Sequence, residues 1–523
     1  MNTQAQIKIQ KVNESYVKIT CDEQYMEIEI QDKFSFEVPN AKHDSRVKAK
    51  KWDGFKRLYN RRNKTFPIGL MLPLLRFIKG QGYSYSVDPS LIPKANLTRE
   101  DLENVISEII DPQSKGESIT PHDHQYEALM HMLNLGRSLC LSSTSSGKSL
   151  IIYCALRIMQ LLPEMEGKRM FVVVPSGSLV EQMYSDFENY STGSALAWNP
   201  AVHCQKVNKD YKKQIDKQIV ITTWQSMSKI PKYVLDDMEM LICDEVHGAK
   251  ADVLSTMISD SINCPMKHGL TGTLDGFESN EMFIEGMFGP RKVIMTAKQS
   301  IDKGVATAVK VKMLILKYED SYKDELEKTL FVDDKGNKRD AKQWYGVEKE
   351  YIYSIEERKH FIVNLALSLE GNTLILFDSI DNYQTPVYEM LKAKSDNVFV
   401  INGGVSNKER DVIKAKIEAG EKVITCATYG TMAVGISINK LHNMILASST
   451  KAMIRIIQSI GRLMRLHDTK SYSTVYDIVD DMSIPKKGYA GYMIKHGQKR
   501  VKIYADEQHP VKFFPVPIKN KAA

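Results

Sequence analysis

The chain has 523 residues, 43% of them apolar types and 26% charged, a balance that excludes disorder over most of its length. Lys and Arg outnumber Asp and Glu by 71 to 64, a net charge of +7, which admits a polyanionic partner without requiring one. No apolar run approaches the ~18 residues of a membrane span, Met1–Gln6 lacks an apolar secretory core, and the seven cysteines form no Cys-x-x-Cys pair; neither a zinc cluster nor a disulfide framework is expected, and a cytoplasmic setting is.

At roughly 150 residues per domain the length suggests about three domains. The first opens on strand-like alternation at Ile7-Lys8-Ile9, Val17-Lys18-Ile19 and Met26-Glu27-Ile28-Glu29-Ile30. From Lys42 to Lys64 ten Lys or Arg stand against Asp44 and Asp53, interleaved with Trp52, Phe55 and Tyr59. Rings stack on bases and cations hold phosphates, so such a stretch suits nucleic acid; a solvated face, or a small β core around the rings, is the plainer reading. Asp111–Gly116 reads as a linker.

From about 119 to 295 short β-rich runs alternate with helical patterns. Ser138–Leu141, Met170–Val174, Gln218–Thr222 and Met240–Cys243 look like buried parallel strands. Around 318–350 the text turns polar, as an insertion at the start of the next domain would. The alternation then returns at Leu374–Phe377, Val398–Ile401, Val423–Cys426, Met444–Leu446 and Thr474–Ile478. The last ~40 residues are Lys-rich, and Pro510, Pro515 and Pro517 argue against a long terminal helix. The expected division is 1–112, 113–300, 301–485 and a basic extension 486–523.

Ser138–Leu141 runs into Ser142-Ser143-Thr144-Ser145-Ser146-Gly147-Lys148-Ser149 and then a helical pattern. Strand, small-residue loop, Gly-Lys-Ser and helix make a phosphate-binding loop. Its backbone N–H groups and helix N-terminus favour phosphate, Lys148 neutralises the β/γ-phosphates, and the Ser149 hydroxyl ligates Mg²⁺. Ser142 and Ser145 stand where glycines are usual, which suggests an altered loop shape; a Ser-rich turn is the alternative. About 95 residues on, Met240-Leu241-Ile242-Cys243-Asp244-Glu245 is a buried strand emptying into two carboxylates. Asp244 suits Mg²⁺ held through water and Glu245 suits activation of the attacking water; a helix-capping Asp-Glu is the bland reading. In the second half Met453, Ile456, Ile457, Ile460 and Met464 repeat with helical spacing, while Gln458, Arg462 and Arg465 share the opposite stripe. That stripe suits a γ-phosphate, or is a solvated basic face.

Gln125, Ser146-Gly147-Lys148-Ser149, Asp244-Glu245-Val246-His247, Thr271-Gly272-Thr273 and Gln458-x-x-Gly461-Arg462-x-x-Arg465 stand in the order and spacing of superfamily 2 helicases of the DExH type, which the chain resembles. It is more closely similar to the UvsW-type helicases of tailed phages. That likeness is carried by Lys51-Trp52-Asp53-Gly54, Thr223-Trp224-Gln225-Ser226, Gly435-Ile436-Ser437, Lys495-His496-Gly497 and Tyr504-Ala505-Asp506-Glu507, and spans most of the chain.

The resemblance implies an α/β protein: two RecA-like parallel-sheet domains in tandem, closing around Mg²⁺ and ATP, plus a small N-terminal α+β domain that engages DNA. It implies an ATP-dependent DNA helicase or translocase acting on branched DNA by unwinding, fork regression and branch migration, in recombination, repair and replication. The protein is taken as a monomer in the host bacterial cytoplasm. Gln125 is expected at the adenine edge, with Ser145, Ser146, Gly147, Gly435 and Gln458 around the nucleotide. Thr271 and Thr273 couple hydrolysis to DNA, and Pro175, Ser176, Thr223 and Thr428 contact its backbone. Lys50, Lys51, Trp52, Arg57 and Arg61 are the expected N-terminal contacts. Ser437 replaces a common Asp and is given no role. Two rivals remain: an RNA helicase, which stronger ATPase stimulation by RNA would reveal, and a DNA-annealing or clamping protein with a dead ATP site, against which stands the full set Lys148, Asp244, Glu245, Arg462 and Arg465.

Overall fold

Every residue from Met170 to Val174 is fully buried. A strand buried on both faces belongs inside a sheet covered by helices on each side, and the computed structural model has it so. The structure describes residues 6–38, 41–93, 95–114, 116–143, 146–193, 198–208, 214–248, 253, 256–257, 261–274, 278–333, 335–433, 438–449 and 453–520. They fall into two units, Met1–Met295 and Thr296–Ala523.

In the first unit the strands lie in the order Cys204–Val207, Ile219–Thr223, Arg169–Val174, Met238–Asp244, Met266–Thr271, Arg137–Ser142 and Arg291–Met295. All pairings are parallel. Parallel strands bring all their C-terminal ends to one edge, where sites of open α/β sheets form. The second unit repeats the plan with Val398–Ile401, Ile424–Thr428, Thr373–Phe377, Asn443–Leu446, Tyr472–Asp481, Ala308–Tyr318 and Val511–Ile518, again all parallel. These are the two RecA-like domains expected.

A third, mixed sheet orders Thr65–Pro67, Tyr16–Cys21, Ile7–Lys11 and Tyr85–Val87. Helices Gln24–Lys33 and Met71–Gly80 cover it, with Met26, Ile30, Leu74 and Ile78 against Ile7, Ile9, Val17 and Ile19. This α+β domain belongs to the first unit and is latched to its large sheet. Lys267, at the foot of strand Met266–Thr271 and 1% exposed, donates from Nζ to Glu14 O at 2.7 Å and to Ser15 Oγ at 2.9 Å. Burial, reinforced by the Arg137 guanidinium, pushes this ammonium well below the usual lysine range; a buried cation needs such partners. Gly69 meets helix Glu278–Phe288 so closely that a Cβ would stand 2.1 Å from Glu285 O.

Several expectations change. Met26–Ile30, read as a strand, is helical: Met26 and Ile30 are one helical turn apart and buried, while Ile28 is 41% exposed. Alternating Ile and Glu at i, i+2 and i+4 fits either period, and packing of the i, i+4 pair decides it. The polar stretch 318–350 is two helices, Asp320–Leu330 and Ala341–Ser354, that seat Leu326, Leu330, Ile352 and Tyr353 in the second core. Segment 486–523, read as a basic extension, is built into the second unit as helix Tyr492–Asp506 and edge strand Val511–Ile518. Pro515 and Pro517 fit there because an edge strand has one row of N–H groups without ladder partners. The division between the large domains falls after Met295 rather than after 300.

Strand Tyr472–Asp481 clamps helices to both faces. Arg500 reaches Asp477 with Nε at 2.8 Å and Nη2 at 2.8 Å, and Tyr504 adds its hydroxyl at 2.7 Å. Three residues on, hence on the other face, Asp480 takes Arg358 Nε at 2.6 Å and Nη2 at 2.8 Å. All four side chains are at most 1% exposed. Removing one partner of a buried pair strands the other charge, at a cost of about 3–5 kcal/mol. Asp477→Asn is therefore expected to lower stability by about that much in urea unfolding of the full chain; an unchanged midpoint would show the clamp to be dispensable.

Candidate nucleotide site

The strand Arg137–Ser142 ends at the loop, and helix Lys148–Gln160 begins directly after Gly147. Ser142, at a usual glycine position, is still in the strand and has no positive φ; the left-handed residue is Gly147, at φ 75°. Ser142 thus needs no glycine freedom, and its hydroxyl donates to Ser146 Oγ at 2.7 Å. A Cβ on Gly147 would stand 2.3 Å from Gln125 Nε2. Ser145 lies outside the described residues.

Gln125, expected at an adenine edge, is committed here to the loop. Its amide donates to Ser146 O and Gly147 O, both at 3.2 Å, and its Oε1 accepts from His122 N at 2.8 Å. His124 Nε2 also lies 2.8 Å from Ser146 O. Helix Asp123–Leu135 therefore holds the loop from outside through two adjacent side chains.

Lys148 and the acidic pair meet at the C-terminal edge. Lys148 Nζ is 3.4 Å from Ser142 O and 3.4 Å from Glu245 Oε1. Asp244 ends its strand, accepting at Oδ1 from Glu245 N at 2.9 Å. Glu245 has φ 51°, a strained conformation for a non-glycine residue that tends to occur at functional sites. Burial disfavours the charge on Glu245, but Lys148 and His247 outweigh it and hold the carboxyl below its usual range. Burial first, then the Glu245 charge, pushes Asp244 up to about 7. Two adjacent carboxylates with one ammonium leave negative charge that a cation relieves. Ser149, whose hydroxyl is 2.9 Å from Tyr190 OH, adds an oxygen at the helix start. A hydroxyl and a carboxylate beside a phosphate loop are the hard oxygen donors Mg²⁺ takes, the other ligands coming from phosphate and water; the residues fit that ion. Among the described residues no cluster of three or more His, Cys, Asp or Glu could hold a metal by itself.

His247 went unassigned at the level of sequence. Its Nδ1 lies 3.3 Å from Glu245 Oε2 and 2.5 Å from Thr271 Oγ1. Thr271 Oγ1 in turn donates to Thr273 O at 2.8 Å, so His247 Nδ1–H is the donor to Thr271. Lys148, Glu245, His247, Thr271 and Thr273 thus follow one another from the loop to the Thr-Gly-Thr turn, the Glu245–His247 step being a charge contact rather than a hydrogen bond, since Glu245 Oε2 has no hydrogen-bond partner among the described residues. The signal was present as the last letter of Asp-Glu-Val-His.

The remaining residues sort by unit. Val174 and Thr223 are register partners on neighbouring strands, so Pro175, Ser176 and Thr223 come together at the same edge as Asp244. Ser176 and Thr223 each cap a helix, accepting from Leu179 N and Ser226 N at 3.3 Å. In the N-terminal domain Lys50 and Lys51 are exposed, and Arg57 pairs with Asp53 at 2.5 Å. Trp52 donates to Phe55 O at 2.8 Å under the Arg46 guanidinium, which lies 4.7 Å from its ring. Arg61 is half-buried. Tyr59, read as an interleaved aromatic, is core at 0% exposure. Lys56, Arg57, Asn60 and Asn63 line a groove of about 450 Å³ that also meets Phe283. In the second unit Thr428 ends its strand, 2.6 Å from Thr431 Oγ1. Helix Met453–Leu463 buries Ile456 and Ile460 and leaves Gln458 and Arg462 half-buried; Arg465 lies past its end in a bend. Gly435 lies outside the described residues.

Comparison with known proteins identifies the family. Family models match at residues 6–88 (DNA helicase UvsW, N-terminal), 118–276 (type III restriction enzyme, res subunit) and 357–467 (helicase conserved C-terminal domain). The ATP-dependent DNA helicase uvsW of Enterobacteria phage T4 is 31% identical over 517 residues, 96% of this chain and 98% of that protein. The crystal structure of T4 UvsW matches with a TM-score of 0.51 at 28% identity, covering 98% of this chain and 99% of that one. S. cerevisiae Dbp5 bound to RNA and ADP BeF3 matches at 15% identity and TM-score 0.51, over 76% of this chain and 90% of that one, and shares the fold. A likeness that runs through the N-terminal domain as well as both RecA-like sheets places the chain in the UvsW family of superfamily 2 phage helicases.

Proposed function

We propose that this chain is an ATP-driven DNA helicase and translocase acting on branched DNA, by unwinding, fork regression and branch migration. The observation that carries the reading is the Lys148–Glu245–His247–Thr271 chain beneath the loop. Lys148 exchanges Glu245 for the β- and γ-phosphates, and Glu245, so released, orients water for attack. Ser149 and, through water, Asp244 would hold Mg²⁺, which would supply charge stabilisation to the phosphates. His247 relays the state of Glu245 to Thr271 and Thr273. Gln125 acts on the nucleotide by holding the loop carbonyls. Arg462 and Arg465 are assigned to charge developing on the γ-phosphate, and Gln458 to the nucleotide, a role resting on motif order.

DNA contact is assigned to Pro175, Ser176 and Thr223 at the edge of the first sheet, to Thr428 in the second, and to Lys50, Lys51, Trp52, Arg57 and Arg61. The groove lined by Lys56, Arg57, Asn60 and Asn63 supports the N-terminal assignment. These groups suit phosphates rather than base edges, as a motor indifferent to sequence requires.

ATP hydrolysis and strand separation measured over forks, four-way junctions, linear duplex and RNA test the reading; stronger stimulation by RNA than by branched DNA would overturn the substrate assignment. Lys148→Ala and Glu245→Gln are each expected to reduce DNA-stimulated hydrolysis by about 10²-fold or more, and near-normal turnover in either would remove that residue from its role. Reversing Lys50, Lys51 and Arg57 to Glu is expected to weaken binding alike across DNA sequences. It should also flatten the dependence of affinity on salt by about one unit of slope per lost phosphate contact; unchanged binding would make the stretch a solvated face.

A further inference from the structure

The second unit carries a feature its nucleotide and track assignments do not use. Strand Ala308–Tyr318 is eleven residues long, and helical cover on one of its faces reaches only part of it. On that face Leu316 and Tyr318 are buried, whereas Lys310 is exposed and Lys312 half-buried. The neighbouring strand behaves alike: Asp480 and Ile478 are buried, Tyr476 is half-buried and Tyr472 is 48% exposed. The bare half of the sheet forms a groove of about 570 Å³.

Its chemistry is not that of an idle surface. Lys312 and Lys512 are direct register partners on adjacent strands, a like-charge pairing that costs stability. Among the described residues no carboxylate lies within ion-pair distance of Lys310, Lys312 or Lys512. Glu370, the acid in the groove lining, is paired with Lys422 at 3.1 Å. The lysines lie over rings: Lys310 Nζ is 3.6 Å from the Tyr472 centroid and Lys312 Nζ 5.2 Å from that of Tyr476. Phe514, 39% exposed, continues the same face on the edge strand, two residues beyond Lys512.

We propose that this strip binds a single strand of DNA, with bases stacked on Tyr472 and Tyr476 and phosphates held by Lys310, Lys312 and Lys512. Uncompensated cations select a polyanion, and flat rings among them, Tyr472 exposed and Tyr476 half-buried, select one with unpaired bases over duplex or an acidic peptide. The strip lies at the N-terminal ends of its strands, the opposite sheet edge from Thr428. It is therefore a second contact, outside the phosphate track, fit for a strand the motor has displaced. It rests on DNA being the substrate.

The test uses the full chain and a short fluorescent dT oligonucleotide. Tyr472→Ala with Tyr476→Ala, and separately Lys310→Glu with Lys312→Glu, are each expected to weaken binding by at least about fivefold, with basal ATP hydrolysis unchanged. In the unsubstituted chain a 4-thiothymidine oligonucleotide is expected to cross-link to the peptide carrying Tyr472 and Tyr476, a reading that needs no variant to fold. Unchanged affinity in both pairs with no cross-link there overturns the proposal. So does loss confined to the lysine pair with equal displacement by poly-glutamate, which identifies an acidic peptide site. DNA-stimulated hydrolysis is read in the same samples. Its persistence alongside a missing cross-link means that the strip fails while the motor stands, and its absence in the unsubstituted chain indicts the motor reading instead.

Discussion

The site turns on one contact, the Lys148 ammonium 3.4 Å from the Glu245 carboxylate. Two carboxylates, one ammonium and a histidine share a half-buried recess, where a charge is tolerable only if answered. Lys148 and His247 answer Glu245, while Asp244, beside it, is pushed up to about 7 by burial and by the Glu245 charge. The left-handed turn at Glu245 places backbone strain at that contact. Gly147 sits at the other side of it, packed so closely under Gln125 that no side chain fits.

Parallel topology does the positioning. Seven strands end at one edge, so the loop after Ser142, the acids after Cys243 and the turn at Thr271 become neighbours although they come from three separate stretches of chain. The second unit spends its polar groups differently, on two Arg–Asp clamps that fix helices to both faces of strand Tyr472–Asp481. Buried pairs of this kind hold geometry more than they add stability.

Much of this was legible before any coordinates. Runs such as Met170–Val174 and Leu374–Phe377 announce buried parallel strands because both faces are aliphatic, and the Gly-Lys-Ser and Asp-Glu elements carry their chemistry in their residue types. Strand Met266–Thr271 was not legible: Met-Lys-His-Gly reads as polar, and only tertiary partners, Glu14 and Ser15 for Lys267 and Ser138 for His268, make its burial tolerable. Helix Gln24–Lys33 was misread because alternation of Ile and Glu satisfies two periods at once. The basic stretch at Lys42–Lys64 divided in a way composition does not reveal, with Tyr59 turned to the core and Lys50 and Lys51 left in water.

Strand Met266–Thr271 joins two of these themes. At its foot Lys267 grips the Glu14–Ser15 turn of the accessory domain; at its tip Thr271 receives His247. The five residues of extended backbone from Lys267 to Thr271 make a stiff strut of about 13 Å. A load borne by the N-terminal domain enters the large sheet at that foot, and the strand runs unbroken from there to the Thr271 hydroxyl beside His247.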